Sequence, residues 1–292
     1  MNGNGDSDYH TLWNTYMEVS NMYKLVLSDL DETLLVNHHV PEVNVKAIEK
    51  AQKQGVKFVP CTGRAQNMIY EIQKEIGIYQ KEEEYSICFN GGLIIENKND
   101  RILYFNGLGY ERAKRLFDIA NHYDVCVLIF TLDCCYIFHA DPNEIQRKKD
   151  QKANFKVIDN YNMDFLKEDK IAKLLIEKRD MDYLKVVESE IRNQFDDVSF
   201  TFSSNRYLEC NALGVDKGKG LKWLADYLNI DIEDTAAIGD NYNDIEMIEA
   251  AGLGACVSSS SDDIKKRSNV VLKKDYFEGA VAELIEEYIL EE

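Results

Sequence analysis

The chain has 292 residues, a length that suits about two domains, and its 45% apolar content with only 3 prolines is that of a folded protein with ample core material. Asp and Glu number 52 against 34 Lys and Arg, a formal net charge of −18. Phosphate backbones and anionic lipids reward the opposite sign, so a general nucleic-acid or membrane-surface binder is excluded, and any anionic ligand must be held locally.

The seven cysteines (Cys61, Cys88, Cys126, Cys134, Cys135, Cys210, Cys256) make no CxxC pair and mostly sit in apolar runs, as reduced core thiols do. The longest wholly apolar run, 125–130, is six residues, far short of a membrane span. Lys24 is the first Lys or Arg and no apolar segment precedes it, so no secretory leader is expected. The expectation is a soluble cytoplasmic protein.

Residues 1–21 are polar and without period and read as a loosely ordered extension. Thereafter strands and helices alternate: a strand over 24–30, a helix over 42–54, a strand over 56–61, a helix over 65–76 and a third strand over 85–89. Such alternation predicts βαβ units and a parallel sheet. After Asn90-Gly91-Gly92 the texture changes to a hairpin (93–95 with 102–105), a helix over 111–122, strands over 125–130 and 134–139, and a polar helix over 143–153. A strand over 170–177, a helix over 182–194 and a strand over 198–202 complete an α+β insert with an antiparallel sheet. From Asp216 the βα rhythm resumes to the end. The predicted fold is α/β: a discontinuous Rossmann-like core, 22–92 with 207–292, interrupted by an inserted α+β domain, 93–206.

Short polar segments end three predicted core strands: Asp29-Leu30-Asp31-Glu32-Thr33, Cys61-Thr62-Gly63-Arg64 and Gly239-Asp240-Asn241-Tyr242-Asn243-Asp244. Ligands of open parallel sheets bind at these carboxyl ends. A further segment, Asp216-Lys217-Gly218, opens a helix, where N–H groups favour an anion. Asp29, Asp31, Asp240 and Asp244 would repel one another at one sheet edge, and a hard divalent cation such as Mg²⁺ relieves that repulsion. The Thr62 hydroxyl, the Lys217 ammonium and the Asn243 amide are then suited to phosphate oxygens. Acids, cation and donors together describe phosphoryl transfer.

In these motifs, their order and the position of the insert, the sequence resembles the haloacid dehalogenase superfamily, most closely its Cof-type sugar-phosphatase branch. The resemblance implies that Asp29 is a nucleophile forming an aspartyl-phosphate and that Asp31 is the general acid and base. It implies Mg²⁺ held by Asp29, the Asp31 carbonyl and Asp240, with Asp244 supporting the metal from behind. Thr62, Gly63, Lys217 and Asn243 would hold the phosphoryl group, and Asn90-Gly91 would face the site. The implied activity is hydrolysis of small phosphorylated metabolites, sugar phosphates foremost, by a monomer or weak homo-oligomer without nucleic-acid or membrane partners. A phosphomutase, a protein phosphatase of the DxDET kind and a non-catalytic metabolite-binding regulator are the alternatives.

One position departs from the family: Glu32 stands where Gly is usual, which predicts a turn with ordinary φ/ψ. Arg147-Lys148-Lys149 reads as a solvated helix face, and His38-His39 as loop residues at the mouth of the site.

Overall fold

The computed structural model describes residues 23–151 and 153–290. The expected extension, 1–21, lies outside them. The first segments are β1 (Leu25–Ser28), α1 (Glu42–Lys53), β2 (Lys57–Pro60), α2 (Tyr70–Glu75) and β3 (Tyr85–Cys88). Every residue of β1 is buried, as befits a short apolar run at the centre of a sheet covered on both faces. In α1 the buried positions Asn44, Ala47, Ile48 and Ala51 recur at helical spacing and form the stripe laid on the sheet. The helix expected over 65–76 is interrupted: a 3₁₀ turn, Gln66–Met68, precedes α2, and Ile69 between them has left helical geometry (ψ 3°).

The chain continues through the antiparallel hairpin β4 (Leu93–Glu96) and β5 (Arg101–Phe105), then α3 (Gly109–Ala120), β6 (Cys126–Thr131), β7 (Cys135–Phe138) and α4 (Pro142–Asp150). Next come β8 (Phe155–Ile158), β9 (Ile171–Glu177), α5 (Met181–Arg192), β10 (Val198–Ser203) and β11 (Tyr207–Ala212). The last segments are α6 (Lys217–Tyr227), β12 (Thr235–Gly239), α7 (Ile245–Ala250), β13 (Leu253–Cys256), α8 (Asp262–Arg267), β14 (Val270–Val271) and α9 (Ala280–Leu284).

Three sheets result. The core sheet, in order β14-β13-β12-β1-β2, is parallel throughout, as the alternation predicts. Strand β3 extends it only through a single parallel bridge, Cys61 to Ile87, and otherwise pairs antiparallel with β4 in the sheet β3-β4-β5. The third sheet, β10-β11-β9-β6-β7-β8, is antiparallel except for β7 with β8.

Sheet membership therefore crosses the expected divisions at 92/93 and 206/207. The hairpin β4–β5 is bonded to β3 because a tight turn, Phe89–Gly91, returns the chain at once. Strand β11 is bonded to β10 and β9 within the third sheet. The chain passes between sheets at 106–108 and 213–216, where the Asn106 amide donates to the Leu213 carbonyl at 3.4 Å. Strands β8 and β11 escape the hydrophobic pattern for physical reasons. Residues of β8 are half-buried or exposed, and β11 alternates apolar Leu208 and Cys210 with Glu209 and Asn211, which point to an interior cleft.

One face of the six-stranded sheet is covered by α3 and α5, whose Leu116, Phe117, Leu184 and Val187 pack on Val127, Ile129, Leu174 and Leu208. The other face is divided. On β6 and β7, Leu128, Phe130, Cys135 and Ile137 join Ala65, Ile69 and Phe89 in an apolar cluster continuous with the core. The Gln66 amide donates to the Leu132 carbonyl at 2.7 Å and the Asn67 amide to the Asp133 carbonyl at 3.0 Å, fastening the same side. On β9, β10 and β11 this face is mostly polar, Leu175 and Tyr207 joining the apolar cluster, and it looks across a cleft of about 1900 Å³ at the carboxyl edge of the core sheet. Among the described residues no helix is long and apolar enough to cross a membrane.

Candidate active site

Strands β1 and β12 are paired neighbours, so their carboxyl ends deliver Asp29 and Asp240 side by side. The Asp29 N–H donates to the Ile238 carbonyl at 3.0 Å, fixing the backbone as it leaves the sheet. Lys217 reaches them as the first residue of α6, a helix capped by Asp216, which accepts from the Lys219 N–H at 2.7 Å. A Cβ on Gly218 would lie 2.2 Å from the Glu246 carbonyl oxygen, so only glycine lets α6 pack this closely on α7. The close packing carries Lys217 beneath the cleft floor, where it is completely buried.

The Lys217 ammonium joins two carboxylates: it contacts Asp29 Oδ1 directly and lies 2.5 Å from Asp244 Oδ1. Asp244 Oδ2 accepts the N–H groups of Asp240 and Asn241, each at 3.0 Å. Both oxygens of Asp244 are thus occupied by the protein itself. Asp240 Oδ1 accepts the Thr33 hydroxyl at 2.7 Å. The other oxygens of Asp29 and Asp240 have no partner among these contacts. Ligand atoms of Asp29, Asp240 and Asp244 lie within 4.8 Å of one another. Burial pushes the Asp29 carboxyl well above its ordinary range, against the pull of Lys217, and Asp244 and Asp240 add to the rise. Burial and the Asp244 charge push Asp240 up to about 7. For Lys217, burial acts against the charge, but Asp244 and Asp29 prevail and hold the ammonium above its usual range. One ammonium among three carboxylates leaves a deficit of positive charge. The oxygen donors that remain are those a hard cation prefers.

The second acid of the first motif is placed differently. The Asp31 carboxylate is gripped by both arms of Arg64, with Nε at 2.9 Å from Oδ2 and a second contact from Nη2 to Oδ1. Glu32 overturns the expectation for its turn: its φ is +61°, the left-handed region that Gly serves without cost. The turn is held by Leu34 and Leu35 N–H bonds back to the Leu30 carbonyl (3.0 and 2.9 Å) and anchored from outside by the Thr33 bond to Asp240. Thr62 is buried, its hydroxyl accepts the Arg64 N–H at 3.2 Å, and its carbonyl accepts the Asn90 N–H at 2.9 Å. Asn243 is exposed, with its amide 3.5 Å from Asn90 Oδ1. Asp29, Asp31, Thr62, Gly63, Asn90, Asp240 and Asn243 all line the cleft, with Lys217 and Asp244 behind them.

The opposite wall holds residues that the sequence reading missed. Lys148 is buried, not solvated: its ammonium is 3.1 Å from Glu144 and 5.5 Å above the Phe130 ring. Lys173 on β9 is also buried, 3.0 Å from Glu209 on β11. Charged residues within strand runs are a signal of this kind, but only the strand pairing shows that they converge.

A family described as haloacid dehalogenase-like hydrolase matches residues 26–285, and the chain belongs to it, in its Cof-type branch. It is similar to Bacillus subtilis YxeH, at 27% identity over 92% of this chain and 99% of that protein. It is also similar to the phosphatase YwpJ of the same organism, at 26% over 85% of this chain and 94% of that one. A haloacid dehalogenase-like hydrolase from Bacteroides thetaiotaomicron superposes with a TM-score of 0.81, at 26% identity and over 91% of this chain and 99% of the other. The protein is accordingly an enzyme, a phosphatase with an α/β parallel-sheet core.

Proposed function

We propose that the protein is a Mg²⁺-dependent phosphatase of small phosphorylated metabolites, sugar phosphates foremost, acting through an aspartyl-phosphate on Asp29. The observation that carries this reading is the buried Lys217 ammonium between Asp29 and Asp244, with Asp240 alongside at the same sheet edge. Lys217 stabilises Asp29 as a carboxylate and orients its free oxygen toward the cleft, where that oxygen attacks phosphorus. Asp29, Asp240 and the Asp31 carbonyl would hold Mg²⁺, which when bound supplies positive charge to the phosphoryl oxygens. Thr62, the Gly63 N–H and Asn243 are suited to those oxygens as donors that need no rearrangement. Asp31 protonates the departing alkoxide and later takes a proton from the attacking water, once its carboxylate has left Arg64. Asp244, with both oxygens already bonded, positions Lys217 and the loop that bears Asp240.

Among the relatives, Bacillus subtilis YcsE, 26% identical over 91% of this chain, is named a 5-amino-6-(5-phospho-D-ribitylamino)uracil phosphatase, which supports a phosphorylated polyol or sugar as substrate. The test is phosphate release from a panel of sugar phosphates and an aryl phosphate, with Mg²⁺ or with chelator. Release is expected to require Mg²⁺ and to fall at least about 10³-fold in Asp29→Asn. Chelator-resistant turnover, or an active Asp29→Asn enzyme, would overturn the reading.

A further inference from the structure

Arg64 meets Asp31 fork to fork, with Nε at 2.9 Å from Oδ2 and Nη2 on Oδ1, and among the described residues its side chain makes no other hydrogen bond. The backbone on either side of Gly63 is pinned to the next strand and turn. The Thr62 N–H donates to the Ile87 carbonyl at 2.9 Å, the Phe89 N–H to the Arg64 carbonyl at 3.0 Å and the Asn90 N–H to the Thr62 carbonyl at 2.9 Å. Asp31 is fixed as well, by a bridge to Leu35. What can move is the long Arg64 arm. A guanidinium fork takes a lone pair on each carboxylate oxygen and aims positive charge at both. The contact therefore works against proton transfer to or from Asp31. It is also a weak one, because the Asp31 side chain is 57% exposed and water screens the pair.

The cleft floor has another use for that cation. Lys217 is committed to Asp29 and Asp244. Among the described core residues that line the cleft, Lys219 and Arg64 are the only Lys or Arg, and Lys219 pairs with Asp216 at 3.2 Å. Arg64 follows directly on Thr62 and Gly63, the donors suited to the phosphoryl oxygens. A phosphate ester arriving there is a stronger anion than one exposed carboxylate, and its oxygens match the guanidinium fork. We propose that Arg64 is an exchangeable clamp: it holds Asp31 while no phosphoryl group is bound, passes to the phosphoryl oxygens when the ester enters, and so frees Asp31 only when there is a bond to cleave. This rests on the phosphatase reading above and adds what releases its general acid.

The first measurement is the dissociation constant of inorganic phosphate with Mg²⁺, by calorimetry, in wild type, Arg64→Met, Asp31→Asn and the double variant. Adding Arg64→Met to the Asp31→Asn protein, where no carboxylate competes for the guanidinium, should weaken phosphate at least about 10-fold. In the wild-type background the same substitution should cost about 2- to 5-fold less, the difference being the contact that phosphate has to break. Unchanged phosphate binding on adding Arg64→Met to Asp31→Asn would overturn the proposal, since the guanidinium would then serve Asp31 alone; equal losses in the two backgrounds would overturn it by showing no exchange. The second measurement is kcat/KM for phenyl phosphate and for p-nitrophenyl phosphate, of which the phenyl ester depends more on a proton from Asp31. Arg64→Met should lower both by the same factor, because the lost contact is to the phosphoryl group they share. A fall confined to phenyl phosphate would mean that Arg64 holds Asp31 in its working position, and would overturn the exchange while leaving the phosphatase reading intact. Failure of that reading has a different signature, no release from either ester by wild type with Mg²⁺, and it would remove this proposal as well.

Discussion

Lys217 and Lys173 are both buried lysines that serve the same cleft, but they belong to opposite walls and to different kinds of charge arrangement. Lys217 is enclosed by Asp29 and Asp244 at the end of a parallel sheet, and one of those acids must remain ionised to attack phosphorus. Lys173 has a single carboxylate partner, Glu209, on an antiparallel sheet whose adjacent strands show that apolar residues fit there. The first arrangement cannot be exchanged for hydrocarbon without losing the chemistry. The second lies apart from the reacting carboxylates and can be exchanged without touching them.

The largest effect that separates the two is expected from Lys217→Met. It leaves buried carboxylates without their cation, which costs about 3–5 kcal/mol in urea unfolding, together with at least about 10³-fold in phosphate release. An Lys217→Met protein as stable as wild type would show that Asp29 and Asp244 do not depend on the ammonium. For Lys173→Met a smaller loss of about 2 kcal/mol is expected, and the double variant Lys173→Met with Glu209→Leu should return to within about 1 kcal/mol of wild type. If the double variant unfolds as readily as the single, the pair is structural and the contrast between the walls fails. The smallest effect concerns the turn between the two acids of the first motif. Glu32→Gly removes a left-handed non-glycine residue and should raise the unfolding free energy by about 1 kcal/mol, measured with Mg²⁺ absent. A loss of stability there would mean that the Glu32 side chain supports the turn it strains.

The same contrast explains what could be read from the sequence. Asp29, Thr62, Lys217 and Asp240 were legible because each sits at the end of a strand or the start of a helix, where a polar residue interrupts an apolar run and the parallel topology fixes where that end must point. Lys173, Glu209 and Asn211 were not, because they lie inside strands that are distant in sequence, and only the pairing of β9 with β11 brings them together. Strand β11 itself went unrecognised for that reason: Glu209 and Asn211, which line the cleft, are the residues that spoil its hydrophobic pattern. Lys148 failed on a general expectation, since charged residues in a run such as Arg147-Lys148-Lys149 are usually wetted, and here Phe130 and Tyr207 close over the middle one. The backbone of Glu32 does not follow from its residue type because the turn is closed by bonds to the Leu30 carbonyl and anchored by Asp240, which is distant in sequence.

The divided face of the six-stranded sheet has a consequence for how such an enzyme diversifies. Strands β6 and β7 are welded to the core by a shared apolar cluster and by the Gln66 and Asn67 amides, so change there is constrained by the folding of the whole molecule. Strands β9, β10 and β11 continue the sheet from that welded half and, apart from Leu175 and Tyr207, which join the same apolar cluster, present mostly polar side chains to the cleft. Drift can therefore rewrite one half of the ceiling while the other keeps it seated, and a lineage can acquire new substrates without renegotiating the machinery that cleaves them.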